Sequence, residues 1–159
     1  MKKNNIKTNA IRILESKQIN HTIYNYDDSK ALSGIEVAHI LKKDPSCVFK
    51  TLVTVGKSNQ NYVFVIPVNK ELDLKKAALS VEEKSISMVK SKELLGLTGY
   101  IHGGCSPIGM KKFFKTTFDN RALEFDKIIF SAGKIGYQVE LSLNDLAKVI
   151  VFSTADLCD

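Results

Sequence analysis

Cys47-Val-Phe-Lys-Thr-Leu-Val-Thr-Val-Gly56, the polar run Lys57-Ser-Asn-Gln-Asn61, and Tyr62-Val-Phe-Val-Ile-Pro-Val68 together decide the fold. The first run is rich in β-branched residues and stops at a glycine; the last is apolar at both parities. Such side chains pack well on a pleated surface. The short polar connection makes the two runs antiparallel strands. A strand apolar on both faces has to be covered on both faces, and Pro67, which cannot donate to a ladder, marks an edge or bulge. Lys50 is the anomaly. A lysine in a core-bound strand ordinarily lies on the solvent face or snorkels toward it, and the alternative is a cation kept for chemistry.

Working outward, residues 5–18 carry Ile6, Ala10, Ile13 and Leu14 at helical spacing. Residues 21–26 alternate as a strand with Thr22, Tyr24 and Tyr26 on one face, and Asp27-Asp28-Ser29 reads as a turn. Ser33-Gly-Ile-Glu36 is a capping-box pattern that opens a short helix, with Asp44-Pro45 to end it. Downstream, residues 72–79 predict a helix with Asp73 at its start and 81–83 as its continuation. A strand at 85–89 and a helix at 91–95 follow. Extended pieces are expected at 123–125 and 128–130, a glycine turn at 131–136, a strand at 137–141, a helix start at 142–145 and a last strand at 149–152. The sum is one α/β (α+β) domain over residues 1–159, a mixed, mostly antiparallel sheet flanked by helices.

Between these elements lies Thr98-Gly-Tyr-Ile-His-Gly-Gly-Cys-Ser-Pro-Ile-Gly109, followed by Met110-Lys111-Lys112. Gly-Gly supplies backbone without Cβ, and Pro107 pushes Ser106 toward an extended form. The segment reads as a plain connecting loop or as a rigid loop offering main-chain N–H groups to an oxyanion. Gly104 and Gly109 have P-loop spacing, but Met110 stands where the phosphate-binding lysine belongs, which argues against nucleotide hydrolysis.

The 159 residues, 44% hydrophobic, suffice for one substantial core. No apolar run is long enough to span a membrane, and the basic start lacks an apolar region behind it. A cytoplasmic protein is expected. Cys47, Cys105 and Cys158 are far apart, in neither disulfide nor zinc spacing, and His21, His39 and His102 show no ligand spacing. No metal or cofactor is therefore expected. Cys105 could be proposed as a nucleophile, but no His-plus-Asn/Asp pattern accompanies it. The net charge of +6 fits either a solvated lysine-rich surface or a polyanion partner. Lys111, Lys112 and Lys115, right after the glycine loop, lean toward a phosphate-bearing ligand at that end.

Four separated pieces, Phe49-Lys-Thr-Leu52, Glu71-Leu-Asp-Leu-Lys-Lys-Ala-Ala78, Thr98 to Gly109 and Ser131-Ala-Gly-Lys134, stand in an order and spacing that resembles the YbaK/EbsC family. The likeness is to its YbaK branch of Cys-tRNA(Pro) deacylases, relatives of the editing domain of prolyl-tRNA synthetase, and it covers nearly the whole chain. It implies a compact domain with a barrel-like sheet surrounded by helices. The reaction it implies is metal-independent hydrolysis of the ester joining a mischarged cysteine to tRNA, with the substrate thiol attacking its own carbonyl and leaving as a thiolactone. By the same resemblance Lys50, Tyr26, Gly103, Gly104 and Ser131 form the catalytic site. Thr51, Ser106, Pro107, Lys111, Lys112 and Lys134 contact substrate or tRNA. Aminoacylated tRNA and prolyl-tRNA synthetase are the implied partners. Ile135, between Lys134 and Gly136, departs from the basic residue common in the family. Residue chemistry agrees: an ammonium suits phosphate or ester oxygens, a phenol donates, and a serine orients a sugar hydroxyl. Two alternatives remain open, a deacylase for another small amino acid such as alanine, and a non-catalytic tRNA- or synthetase-binding module.

Overall fold

The computed structural model describes residues 7–27 and 33–159; Ile6 and the Asp28-Ser29 part of the expected turn lie outside them. Helix α1 (Asn9–Ser16) starts on Thr8, whose hydroxyl accepts from the Ile11 amide, and buries Ala10, Ile11 and Leu14. β1 (Thr22–Asn25) follows. α2 (Gly34–Leu41) has both arms of its capping box, Ser33 Oγ accepting from the Glu36 amide at 3.2 Å and Glu36 Oε1 from the Ser33 amide at 2.8 Å. It ends on Lys42 at φ 59°, before Pro45 opens a separate 3₁₀ turn. β2 (Phe49–Gly56) and β3 (Asn61–Pro67) form the expected hairpin, with Lys50 opposite Ile66.

Asp73 caps α3 (Leu74–Ser80) by accepting from the amides of Lys75 and Lys76. That helix stops at Val81, so residues 81–83 do not continue it. β4 (Ile86–Met88), α4 (Ser91–Thr98), β5 (Lys115–Asp119), β6 (Ile128–Lys134), β7 (Tyr137–Leu141), α5 (Leu143–Leu146) and β8 (Ser153–Ala155) complete the order.

The structure departs from the sequence reading at four further places. β5 was not foreseen, because Lys-Thr-Thr-Phe-Asp carries little apolar signal, yet Thr116 to Asp119 are all buried. Residues 123–125 are not extended: Asp119 caps a 3₁₀ helix over Asn120–Glu124. Residues 131–134 are strand rather than turn, with a register shift between Ser131 and Lys134 that leaves only Ile135-Gly136 to reverse the chain. The last strand lies at Ser153–Ala155 because the amides of Val149 and Ile150 fold back onto the Leu146 carbonyl.

The strands form two sheets rather than one closed barrel. One is the antiparallel trio β1-β7-β6; the other is mixed, in the order β4-β2-β3-β5-β8, parallel at β3–β5 and β5–β8. An isolated parallel bridge, Val48 to Ile129, links them. The main core fills the space between, where Phe49, Val53, Val63, Val65 and Phe118 meet Ile128, Phe130, Val139 and Leu141 beneath α1. Phe118 meets Phe130 edge-on at 6.4 Å. On the opposite face of the larger sheet, Tyr62, Phe64 and Ile66 pack on Ala77 and Ala78 of α3 and on Val81 just past it, with Leu157. That double cover is why β3 is apolar at both parities.

The chain's end is tied down by Asp119, fully buried, which accepts from the amides of Arg121 and Leu157 and pairs with the Arg121 guanidinium at 3.1 Å. Burial alone would raise the Asp119 pKa, but these donors outweigh it and hold the carboxyl below its usual value. The stabilisation is thus fully present above the unfolded value of about 3.9 and is lost as pH falls through the lower folded value. Asp119→Ala should cost about 3–5 kcal/mol, since it strands a half-buried guanidinium and a buried amide. Denaturant titration from pH 2 to 7 checks this, and the variant's acid limb should be shallower than the parent's.

Candidate active site

β4 pairs with β2 only from Thr54 to Gly56, with the Val89 amide reaching the Val53 carbonyl beyond it. Among the described residues the Phe49-to-Leu52 part of that edge has no strand beside it. A cavity of about 860 Å³ opens there, within the roughly 300–1,000 Å³ usual for ligand clefts. Tyr26, Lys50, Thr51, Gly103 and Ser131 all line it, although they come from four separate stretches of chain. Its remaining wall is largely apolar, including Val37, Val53, Val68 and Leu94.

Each polar group has its own support. Lys50 extends from β2 with 31% of its side chain exposed, and its nearest carboxylate, Glu71 at 3.9 Å, is 94% exposed, so the pair is screened and weak. Among the described residues no Asp or Glu lines the cavity. Ser131 sits at the register shift of β6, where its hydroxyl accepts from the Gly133 amide at 3.0 Å. Shifts of this kind re-aim side chains beside functional sites. The Thr8 hydroxyl holds the same segment through the Ala132 carbonyl. Tyr26 is fixed by its amide, which donates to the Gly136 carbonyl at 2.9 Å. The Thr51 hydroxyl is buried and has no hydrogen-bond partner among the described residues.

The glycine loop divides in its use. Gly103, at φ 88°, occupies backbone space that side-chain-bearing residues avoid, and it lines the cavity. Gly104 does not line it. Its amide already donates to the Ile101 carbonyl at 3.0 Å, so it is not the oxyanion donor expected of it. It is glycine for a packing reason: a Cβ there would stand 3.2 Å from the main chain of Lys134 and Ile135. The amides of Gly103 and Cys105, both cavity residues, are unpaired among the described residues and are the donors the loop offers.

Ser106 and Pro107 are buried behind the loop rather than facing ligand space, and Ser106 accepts from the Ile108 amide at 3.3 Å. The Tyr100 hydroxyl donates to the Ile108 carbonyl at 2.6 Å, and Asn9 donates to the Gly109 carbonyl at 2.8 Å. Lys111 caps α4 by donating to the Gly96 carbonyl at 3.3 Å. Lys111, Lys112 and Lys134 are exposed and stand outside the cavity.

Sequence reasoning missed His102 and Gln138, both cavity residues. Gln138 is 6% exposed, faces Ser131 in the β6–β7 register, and its side-chain amide makes no hydrogen bond among the described residues. The signal was a polar residue in an alternating strand, which reads as a solvent face. Ile135, the departure from the family pattern, also lines the cavity and packs against Gly103.

A family model described as the aminoacyl-tRNA editing domain matches residues 30–149. The chain belongs to that family. A curated relative from Enterococcus faecalis (strain ATCC 700802 / V583), EbsC, bears the name of a Cys-tRNA(Pro)/Cys-tRNA(Cys) deacylase. It is 46% identical over 142 residues, 89% of this chain and 87% of its own. Two solved structures share the fold. One, described as a trans-editing enzyme for prolyl tRNA synthetase, has a TM-score of 0.81 at 21% identity, over 98% of this chain and 99% of the other. The second, the hypothetical protein APE2540, has a TM-score of 0.85 at 20% identity, over 96% of this chain and 100% of the other.

This editing domain carries a cysteine in its cavity, but burial pushes the Cys105 thiol up to about 11, with the Thr98 hydroxyl opposing only in part. At neutral pH it is a protonated thiol and a poor nucleophile. Cys158 is fully buried and pushed up to about 12, again chiefly by burial, whereas Cys47 is only half-buried. With an aromatic disulfide reagent at pH 8, one thiol, Cys47, should react quickly in the folded protein, and all three after denaturation. Mass spectrometry of the labelled peptides identifies which.

Proposed function

We propose that the chain is a trans-editing deacylase that releases cysteine from mischarged Cys-tRNA(Pro), and from Cys-tRNA(Cys), working in the cytoplasm alongside prolyl-tRNA synthetase. The observation that carries it is that Lys50, Gly103, Cys105, Ser131 and Tyr26 all line one cavity of aminoacyl-nucleoside scale. The name of the 46% identical relative supports the choice of amino acid and tRNA.

An aminoacyl ester is already activated, so the site must orient attack and stabilise charge rather than create a strong nucleophile. The substrate sulfur attacks its own carbonyl carbon. The S–C bond forms as the C–O bond to the ribose breaks, the thiol proton ends on the departing ribose oxygen, and water then opens the thiolactone to free cysteine. The amides of Gly103 and Cys105 stabilise the oxygen that becomes negative, Lys50 holds ester or terminal phosphate oxygens, and Ser131 orients the sugar. Thr51 offers its unpaired hydroxyl to the bound aminoacyl group. A protonated Cys105 leaves the sulfur nucleophile to the substrate.

Lys50→Ala should lower release from Cys-tRNA(Pro) by about 100-fold or more, the scale of losing one oxyanion-stabilising group, without changing the melting temperature. EDTA should leave the parent's rate unchanged. Replacing the charged cysteine by serine tests the thiol step, and undiminished turnover would contradict it. Release of alanine in preference to cysteine would assign the site to a different small amino acid, and binding without release would make the chain a binding module.

A further inference from the structure

A second groove, of about 500 Å³, lies between the β2–β3 turn and residues 113–115. Six residue steps along β2 separate Lys50 from Gly56, so the turn stands about 20 Å or more from the Lys50 backbone. Phe113 borders the groove with 75% of its surface exposed, and Lys111, Lys112 and Lys115 surround it in sequence. A lone exposed apolar residue needs no explanation, but this ring has a distinctive setting. Among the described residues Lys112 and Lys115 form no salt bridge. Across the groove, the Asn59 side-chain amide makes no hydrogen bond among the described residues, and Gln60 meets the Tyr62 hydroxyl with one end of its side-chain amide at 3.0 Å, leaving the other end free. The nearby Glu83 carboxylate is already engaged by the Ser58 amide, the Ser58 hydroxyl and the Tyr62 hydroxyl. A bare ring, two unpaired cations and free amides make up the chemistry that holds an unpaired nucleotide: stacking, phosphate contact and base-edge hydrogen bonds.

We propose that this groove is an RNA site, in which Phe113 stacks on an unpaired base of the same tRNA whose charged end occupies the cavity, Lys112 and Lys115 meet the flanking phosphates, and Asn59 and Gln60 contact the base edge. The proposal rests on the charged-tRNA reading above. It gives the chain a tRNA contact independent of the aminoacyl pocket.

Binding of an uncharged single-stranded RNA hexamer, followed by fluorescence anisotropy, reads the groove whether or not esters are cleaved. Phe113→Ala should weaken it by about tenfold, the low end of base–aromatic stacking, while Phe113→Tyr, which keeps a ring, stays near the parent. With charged tRNA, Phe113→Ala should raise KM and leave kcat alone, and the penalty should vanish with a cysteinyl ester of adenosine, too short to reach the groove. Equal hexamer affinity for Phe113→Ala and the parent overturns the proposal. So does a variant that keeps RNA affinity but loses association with prolyl-tRNA synthetase, which would make the face a protein interface. If the parent cleaves neither ester, the deacylase reading fails, and the hexamer measurement still decides the groove.

Discussion

The site depends on a strand that stops early. β4 covers β2 only as far as Thr54, and the rest of that edge faces a cavity instead of a ladder. A longer β4 would satisfy the backbone and seal the pocket. The opening leaves β2 able to present Lys50 and Thr51 at adjacent positions to the same space, which successive residues of a strand inside a sheet could not do across opposite faces. The glycine loop and the β6–β7 turn then wall the gap, and their approach is close enough that a Cβ at Gly104 would crowd the main chain of Lys134 and Ile135.

Electrostatics follows from the same architecture. Lys50 enters a largely apolar wall whose described residues include no acid, so its charge is left available to an anionic group, as the proposed function requires. Its contact with the highly exposed Glu71 is too screened to neutralise it. The buried Thr51 hydroxyl and the Gln138 side-chain amide, unpartnered among the described residues, sit in that low-dielectric space, where each hydrogen bond to a ligand counts for more than it would in water.

Much of this was legible in the chain. Ser33-Gly-Ile-Glu36 and Asp73 specify helix starts by local hydrogen bonding, and the two faces of Tyr62 to Val68 specify a central strand by burial; both signals are local and both hold. What failed depends on partners distant in sequence. β5 is polar by composition, and only its parallel neighbours β3 and β8 make it a strand. Ser131 to Lys134 reads as a turn until β7 pairs with it. Lys50, Tyr26, Thr51, Gly103 and Ser131 came together through family likeness, since no spacing rule joins them. Gly104, Ser106 and Pro107 lie off the cavity, because a sequence shows that a loop is rigid without showing which of its groups the rigidity consumes.

The first helix touches the site twice, through Thr8 to the Ala132 carbonyl and through Asn9 to the Gly109 carbonyl, spans of 124 and 100 residues. Synthesis delivers that helix long before its partners leave the ribosome. The early segment therefore waits, and the pocket can be assembled only once β6 has emerged and docked. Until then the strand that carries Lys50 has no Ser131 or Gln138 opposite it, and the cavity lacks one of its walls. Closure over such distances also marks the slow, high-contact-order class of folding reactions.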